Sequence, residues 1–212
     1  AYIGKVADDR LGKVFKEDME KIGVPFGTHP LVGGPATARS IIFVTPDGKR
    51  SMNTFLGASV EFSPSDVSKE TVEAAGILYL EGYLFDKEDA KAAFVHAAEI
   101  AHAAGRKVAL TLSDSFCVAR HRDSFRQLIR TQVDLLFANE EELLSLYETR
   151  DFDAAVEQLR GTSQWSRRHD RCRRPICGGF PVWHCAGAAS RNLCETWPYR
   201  GSGSHFALWP AP

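Results

Sequence analysis

Asn139-Glu140-Glu141-Glu142 is the stretch of this 212-residue chain best suited to chemistry. An amide and, three residues on, a carboxylate follow directly on the apolar run Leu135-Leu136-Phe137-Ala138, which reads as a buried strand. Open α/β sheets bind ligands beyond the carboxyl ends of their strands, so this pair could organise a cation, water and an anionic ligand. The same four residues also make an ordinary helix start, with Asn139 as cap and the acids beside the positive end of the helix dipole. Asp114 stands just past the apolar run 108–112 and either points into the same cleft or caps the next helix. Glu81 closes a third apolar run, where it either meets substrate or reaches solvent. Arg39, Arg50, Asn53 and Phe55 lie on a hairpin that could close over substrate, or that is simply solvated with one apolar face. His29, His96, His102 and His121 lack metal-ligand spacing, and no metal site is assigned to them. The pattern G-x-x-x-x-G-K-[ST] is absent, which excludes a Walker-type phosphate loop.

The elements that must position these residues alternate between strand and helix. Residues 1–4 read as the end of a strand, and Leu11, Val14, Phe15, Met19 and Ile22 fall on one face of a helix stopped by Gly23. Alternation over 40–45, the turn Pro46-Asp47-Gly48 and a return over 50–56 predict a hairpin. The runs 77–81, 108–112 and 134–138 are mostly apolar, as expected of strands covered on both faces. Helices are expected over 87–104, 123–131, 140–147 and 152–159. The fold class is therefore α/β, a largely parallel sheet covered by helices on both faces, with a small β-hairpin projecting as a lid.

A net charge of -1 and a sequence pI of about 6.7 argue against a dedicated nucleic-acid binder. Neither a signal peptide nor an apolar stretch of membrane-spanning length is visible, so no membrane association and a cytoplasmic location are expected. Cys117 is the lone cysteine of the ordered part, in keeping with a reducing compartment. Composition then changes near Gly161. All four Trp and four of the five Cys (Cys172, Cys177, Cys185, Cys194) follow that point, and no Lys does. Residues 161–212 show no period and are read as an aberrant tail without expected structure. The tail's Cys residues with His169, His184 and His205 permit an alternative, a metal-organised binding module. Against it, no paired C-x-x-C is present.

Several segments resemble the ribokinase-like (PfkB) family of carbohydrate and nucleoside kinases, and are most similar to its bacterial adenosine kinase-like members. IGKVADDRLGKVFKEDMEKIGV at 3–24 resembles the stretch after the family's glycine-rich substrate motif, and ARSIIFVTPDGKRSMNTFLGAS at 38–59 its lid. LYLEGYLFD at 78–86, LSDSFCVARHR at 112–122 and DLLFANEEELLSLY at 134–147 are similar to family segments in family order. The tail adds a further likeness. Read one base forward with GC-rich codons, the codons for 167–175 spell VDTTGAGD, the family's catalytic signature. The expectation is thus a partial kinase domain over 1–160, with the lid at about 35–59, followed by a frame-disrupted tail and lacking the segment that would precede Ala1.

The resemblance implies transfer of the γ-phosphoryl group of ATP, with Mg²⁺, to a hydroxyl of a sugar or of adenosine. It implies that Asn139 and Glu142, matching the family's N-x-x-E motif, serve ATP and Mg²⁺ together with Asp114. Arg39, Arg50, Asn53, Phe55 and Glu81 would serve the substrate, and a homodimer through the lid is an arrangement found in intact relatives. The family's base is the final Asp of GAGD. The translated chain has Arg174-Pro175 there, so the resemblance implies an inactive fragment, or a pseudokinase that binds nucleotide or nucleoside.

Overall fold

The computed structural model describes residues 1–161 and, as backbone, 182–184. Its Cα positions cluster into two compact units, Ala1–Val72 with Leu84–Ala97, and Glu73–Tyr83 with Ala98 onward.

In the first unit, Asp9 organises the entry to helix α1 (Arg10–Lys21). Its carboxylate accepts from the backbone N–H of Gly12 at 2.8 Å, the N–H of Thr37 at 2.8 Å and the Thr37 hydroxyl at 2.7 Å. These donors, the Thr37 N–H foremost, lower the Asp9 carboxyl to about 2. Phe15 packs its ring against Tyr2 and Phe26, at centroid distances of 5.8 and 5.4 Å. Leu11, Val14 and Ile22, expected on the same apolar face, remain exposed. The strand expected at residues 1–4 is not formed: Tyr2 donates a backbone bond to Pro25, but no neighbouring strand extends it into a ladder.

Strands β1 (Arg39–Val44) and β2 (Arg50–Phe55) form the expected hairpin, with six antiparallel pairs from Arg39 opposite Phe55 to Val44 opposite Arg50. The turn closes through Thr45 N–H to Lys49 O at 2.9 Å, and Gly48 takes the positive φ of 79° that the turn requires. Every residue of both strands is exposed.

The second unit carries the sheet. After the short helix α2 (Lys69–Ala74), strand β3 (Ile77–Glu81) pairs in parallel with β4 (Lys107–Thr111), which pairs in parallel with β5 (Leu135–Ala138). Helix α3 (Glu88–Ala103) precedes β4, α4 (Ser115–Thr131) precedes β5, and α5 (Glu140–Tyr147) and α6 (Phe152–Arg160) follow. Consecutive burial of Val108, Ala109 and Leu110 shows that β4 is covered on both faces, as an apolar run without alternation predicts. β3 is the outer strand, and its Tyr79 is exposed.

Helix α4 begins eight residues before the start expected from periodicity, because it is two helical pieces joined at His121, whose φ and ψ of -123° and 26° are not helical. The charged run Arg120-His121-Arg122-Asp123 at this joint masks the apolar period on either side. A three-residue strand, β6 (Val182–His184), lies antiparallel to β5, in a stretch where no period is legible. The segment 167–175 and Cys172, Cys177, Cys185, Cys194, His169 and His205 lie outside the described residues, and of His184 only the backbone is described. Among the described residues no helix is long and apolar enough to cross a membrane.

Candidate functional site

Parallel pairing brings the carboxyl ends of β3, β4 and β5 to one edge of the sheet, and the register makes them level. Glu81 lies opposite Thr111, and Thr111 opposite Phe137. At or just beyond these three positions stand the residues the sequence singles out: Glu81 at the end of β3, Asp114 after β4, and Asn139 with Glu142 after β5.

Asn139 and Glu142 form a reciprocal cap at the start of α5. The Asn139 side-chain oxygen accepts from the Glu142 N–H at 2.8 Å, while the Glu142 carboxylate accepts from the Asn139 N–H at 3.1 Å and from Nδ2 at 2.9 Å. The helix-start alternative is thus present in full. It does not account for the burial of Glu142, which is 7% exposed, since a capping-box acid needs only to reach its own first turn. Burial pushes the Glu142 carboxyl above its ordinary value. The backbone N–H of Asn139 opposes that rise, and the charges of Asp114, Glu141 and Glu81 add to it. All of these charged neighbours are acidic, so the site carries surplus negative charge.

Asp114 caps α4, accepting from Phe116 N–H at 2.6 Å and Cys117 N–H at 3.3 Å. Cap and site member coincide in this residue, because the capping carboxylate is also close enough to raise Glu142 and Tyr83. Glu81 is likewise pushed up by burial, with the Ser113 hydroxyl acting in the opposite direction. Tyr79 and Tyr83 are exposed over part of their rings, and desolvation of the covered part, then the neighbouring carboxylates, raises both phenols. Among the described residues, no three His, Cys, Asp or Glu side chains form a ready metal cage.

Periodicity and spacing gave no signal for two members of this edge. Ser113 has a φ of 71°, uncommon for a residue with a side chain, and its hydroxyl donates to Glu81. Tyr83 donates its hydroxyl to the Ser113 carbonyl at 3.1 Å. A serine after a strand is ordinary loop composition, so neither contact is legible without the fold.

The lid residues belong to the first unit. The register puts Arg39, Asn53 and Phe55 on one face of the hairpin, where the Arg39 guanidinium lies over the Phe55 ring at 4.9 Å. Arg50 falls on the opposite face, so the hairpin does not gather all four.

A family model described as pfkB family carbohydrate kinase matches residues 1–165. The chain is 56% identical to an adenosine kinase from Sinorhizobium meliloti, over 76% of this chain and 50% of that one, with a TM-score of 0.72. It is 50% identical to a protein from Rhizobium etli CFN 42 described as a probable sugar kinase, over 76% and 49%, again with a TM-score of 0.72. An adenosine kinase from Trypanosoma brucei brucei shares the fold, at 18% identity and a TM-score of 0.67 over 76% of this chain and 50% of that one. The chain spans about half the length of each of these three proteins.

Proposed function

The chain belongs to the pfkB family of carbohydrate kinases, and from that premise we propose that its site serves transfer of the ATP γ-phosphoryl group to a hydroxyl of a nucleoside or sugar, adenosine foremost. The observation that carries this reading is the buried Glu142 carboxylate, held by the exposed Asn139 at the carboxyl end of a parallel strand and acted on by the charges of Asp114, Glu141 and Glu81.

A site at which every charge acting on Glu142 among the described residues is acidic fits Mg²⁺-nucleotide. Mg²⁺ retains several waters and takes one or two protein carboxylates plus phosphate, so it needs no cage of three side chains. Glu142, Asn139 and Asp114 would hold it. When bound, the metal ion shields phosphate charge so that an oxygen nucleophile can approach. The chain's own residues then have separate tasks. Asn139 keeps the Glu142 carboxylate oriented, Glu81 offers an acceptor to a substrate hydroxyl, and Arg39, Asn53 and Phe55 share one face of the lid. The preference for adenosine rests on the 56% identity to an adenosine kinase against 50% for the sugar kinase-like protein. A cytoplasmic location and a homodimer through the lid complete the proposal. The homodimer is supported by the exposed Ile42, Phe43, Val44 and Met52.

The polypeptide as translated has Arg174-Pro175 where the base would stand. A general base contributes about 10² to 10⁴ in rate, so binding without turnover is the expected behaviour of this chain. Calorimetry with Mg²⁺-ATP, beside a phosphoryl-transfer assay with adenosine and ribose, tests both halves. Mg²⁺-dependent nucleotide binding that weakens in Glu142→Gln, with no transfer above a vector control, is expected. Binding unchanged in Glu142→Gln counts against the site, and transfer above the control counts against the inactivity of the chain.

A further inference from the structure

The junction between β3 and β4 is built more tightly than a loop needs to be. At Gly82, directly after Glu81, a Cβ would stand 2.8 Å from the Thr111 carbonyl oxygen and 2.9 Å from that of Leu112, so the two strand ends touch backbone to backbone. The Cys117 thiol donates to the Gly82 carbonyl at 3.3 Å, and the Tyr83 hydroxyl to the Ser113 carbonyl at 3.1 Å. Between them Ser113 is held at a φ of 71°. A left-handed conformation is costly for a residue with a side chain and persists only where its surroundings impose it, most often at sites that use the geometry it creates. Here that geometry aims the Ser113 hydroxyl at Glu81 Oε1, while its N–H lies 3.3 Å from the Thr111 hydroxyl.

We infer that Ser113 is a positioning residue: its left-handed backbone holds a hydroxyl donor against Glu81, fixing that carboxylate in one orientation from which it accepts a hydrogen bond from the substrate. The use of a fixed carboxylate rests on the kinase reading above, but the pairing itself does not. Burial and the Ser113 hydroxyl act on Glu81 in opposite senses, the first raising its pKa and the second lowering it. Without the hydroxyl, a half-buried carboxylate loses the donor that favours its charged form.

The test is the titration of the Glu81 side-chain carboxyl, followed by ¹³C NMR in the full chain with Glu81→Gln to assign the resonance. Ser113→Ala removes the hydroxyl and keeps the strained backbone. Ser113→Gly removes the hydroxyl and suits the backbone, so it folds at least as readily as the parent. The Glu81 midpoint is expected to move upward in both variants by a similar amount. An unmoved midpoint in Ser113→Gly, or a shift in Ser113→Ala alone, overturns the inference, because the hydroxyl would then have no hold on the carboxylate. Adenosine binding is measured on the same samples. Its absence from every form counts against the kinase reading, whereas the titration decides the Ser113 pairing whatever the binding.

Discussion

Replacing Asn139 by Asp sets two accounts of the same residue against each other. As a helix cap, Asp is about as good as Asn. Its charge at the first turn should even add about 0.3 to 1 kcal/mol through the helix dipole. As a neighbour of Glu142 it is much worse. Asn139 Nδ2 lies 2.9 Å from Glu142 Oε1, and the substitution turns a donor into a second carboxylate at that distance. Two unit charges 2.9 Å apart repel by about 5.7 kcal/mol at an effective dielectric constant of about 20. The folded protein avoids part of this by taking up a proton, which at pH 7 costs about 3.7 kcal/mol for an acid of ordinary pKa near 4.3 and less for Glu142, whose carboxyl is already raised. The smaller figure governs. Asn139→Asp is therefore expected to lose up to about 3 kcal/mol at pH 7 after the dipole gain is set against it.

The loss has a definite pH dependence. A carboxyl raised in the folded state holds its proton longer than in the unfolded chain, so its contribution is fully present below the unfolded pKa and is lost as pH rises through the folded one. Glu142 is already shifted in that direction, and the variant extends the shift. Urea denaturation of Asn139→Asp and of Asn139→Ser, a cap without charge, should come together near pH 4 and separate by up to about 3 kcal/mol near pH 7. Equal stability of the two at pH 7 would refute the electrostatic reasoning and leave Asn139 as a cap alone.

Substitutions at two further positions probe the packing within each unit. Gly12→Ala in α1 should be favoured by helix propensity by about 1 kcal/mol. Its Cβ, however, would stand 2.1 Å from the Ala7 carbonyl oxygen, so a net loss of about 1 to 3 kcal/mol is expected. A raised melting temperature would contradict that. Asp134 is 6% exposed and accepts from the Val108 N–H at 2.9 Å and from His102 Nε2 at 3.0 Å. Asp134→Ala strands the buried N–H at a cost of about 1 to 3 kcal/mol, whereas Asp134→Asn keeps an acceptor and should cost less. Equal losses on urea unfolding would show that the Val108 bond is not the important one.

What could be read from the sequence follows from how local each signal is. The strand Leu135–Ala138 and the N-x-x-E box after it lie within eight consecutive residues, so an apolar run and a capping pattern reveal both. The opposed faces of Arg50 and Asn53 were also open to reading, since an odd separation along a strand always divides two residues. Periodicity placed Leu11 and Val14 together with Phe15, but could not say which of them would find a partner, and only Phe15 meets Tyr2 and Phe26. Ser113 was beyond reach. Its conformation occurs beside the close approach of Gly82 to the Thr111 and Leu112 carbonyls, a contact between segments distant in sequence.

The hairpin has a consequence for colloidal behaviour. β1 carries Ile41-Ile42-Phe43-Val44 without interruption, all four exposed, and in a two-stranded ladder each strand keeps one row of unpaired amides and carbonyls. A short, uncharged, β-prone run beside an open edge is the composition from which cross-β stacking nucleates. Arg39 at its start and Lys49-Arg50 across the turn place positive charge at both ends, where repulsion between stacked copies would be greatest. Lys49 is offset by the Asp47 carboxylate at 3.1 Å, so fibril formation by this chain should be limited by screening of Arg39 and Arg50, with a thioflavin lag that shortens as salt is added and lengthens when Phe43 is replaced by Lys.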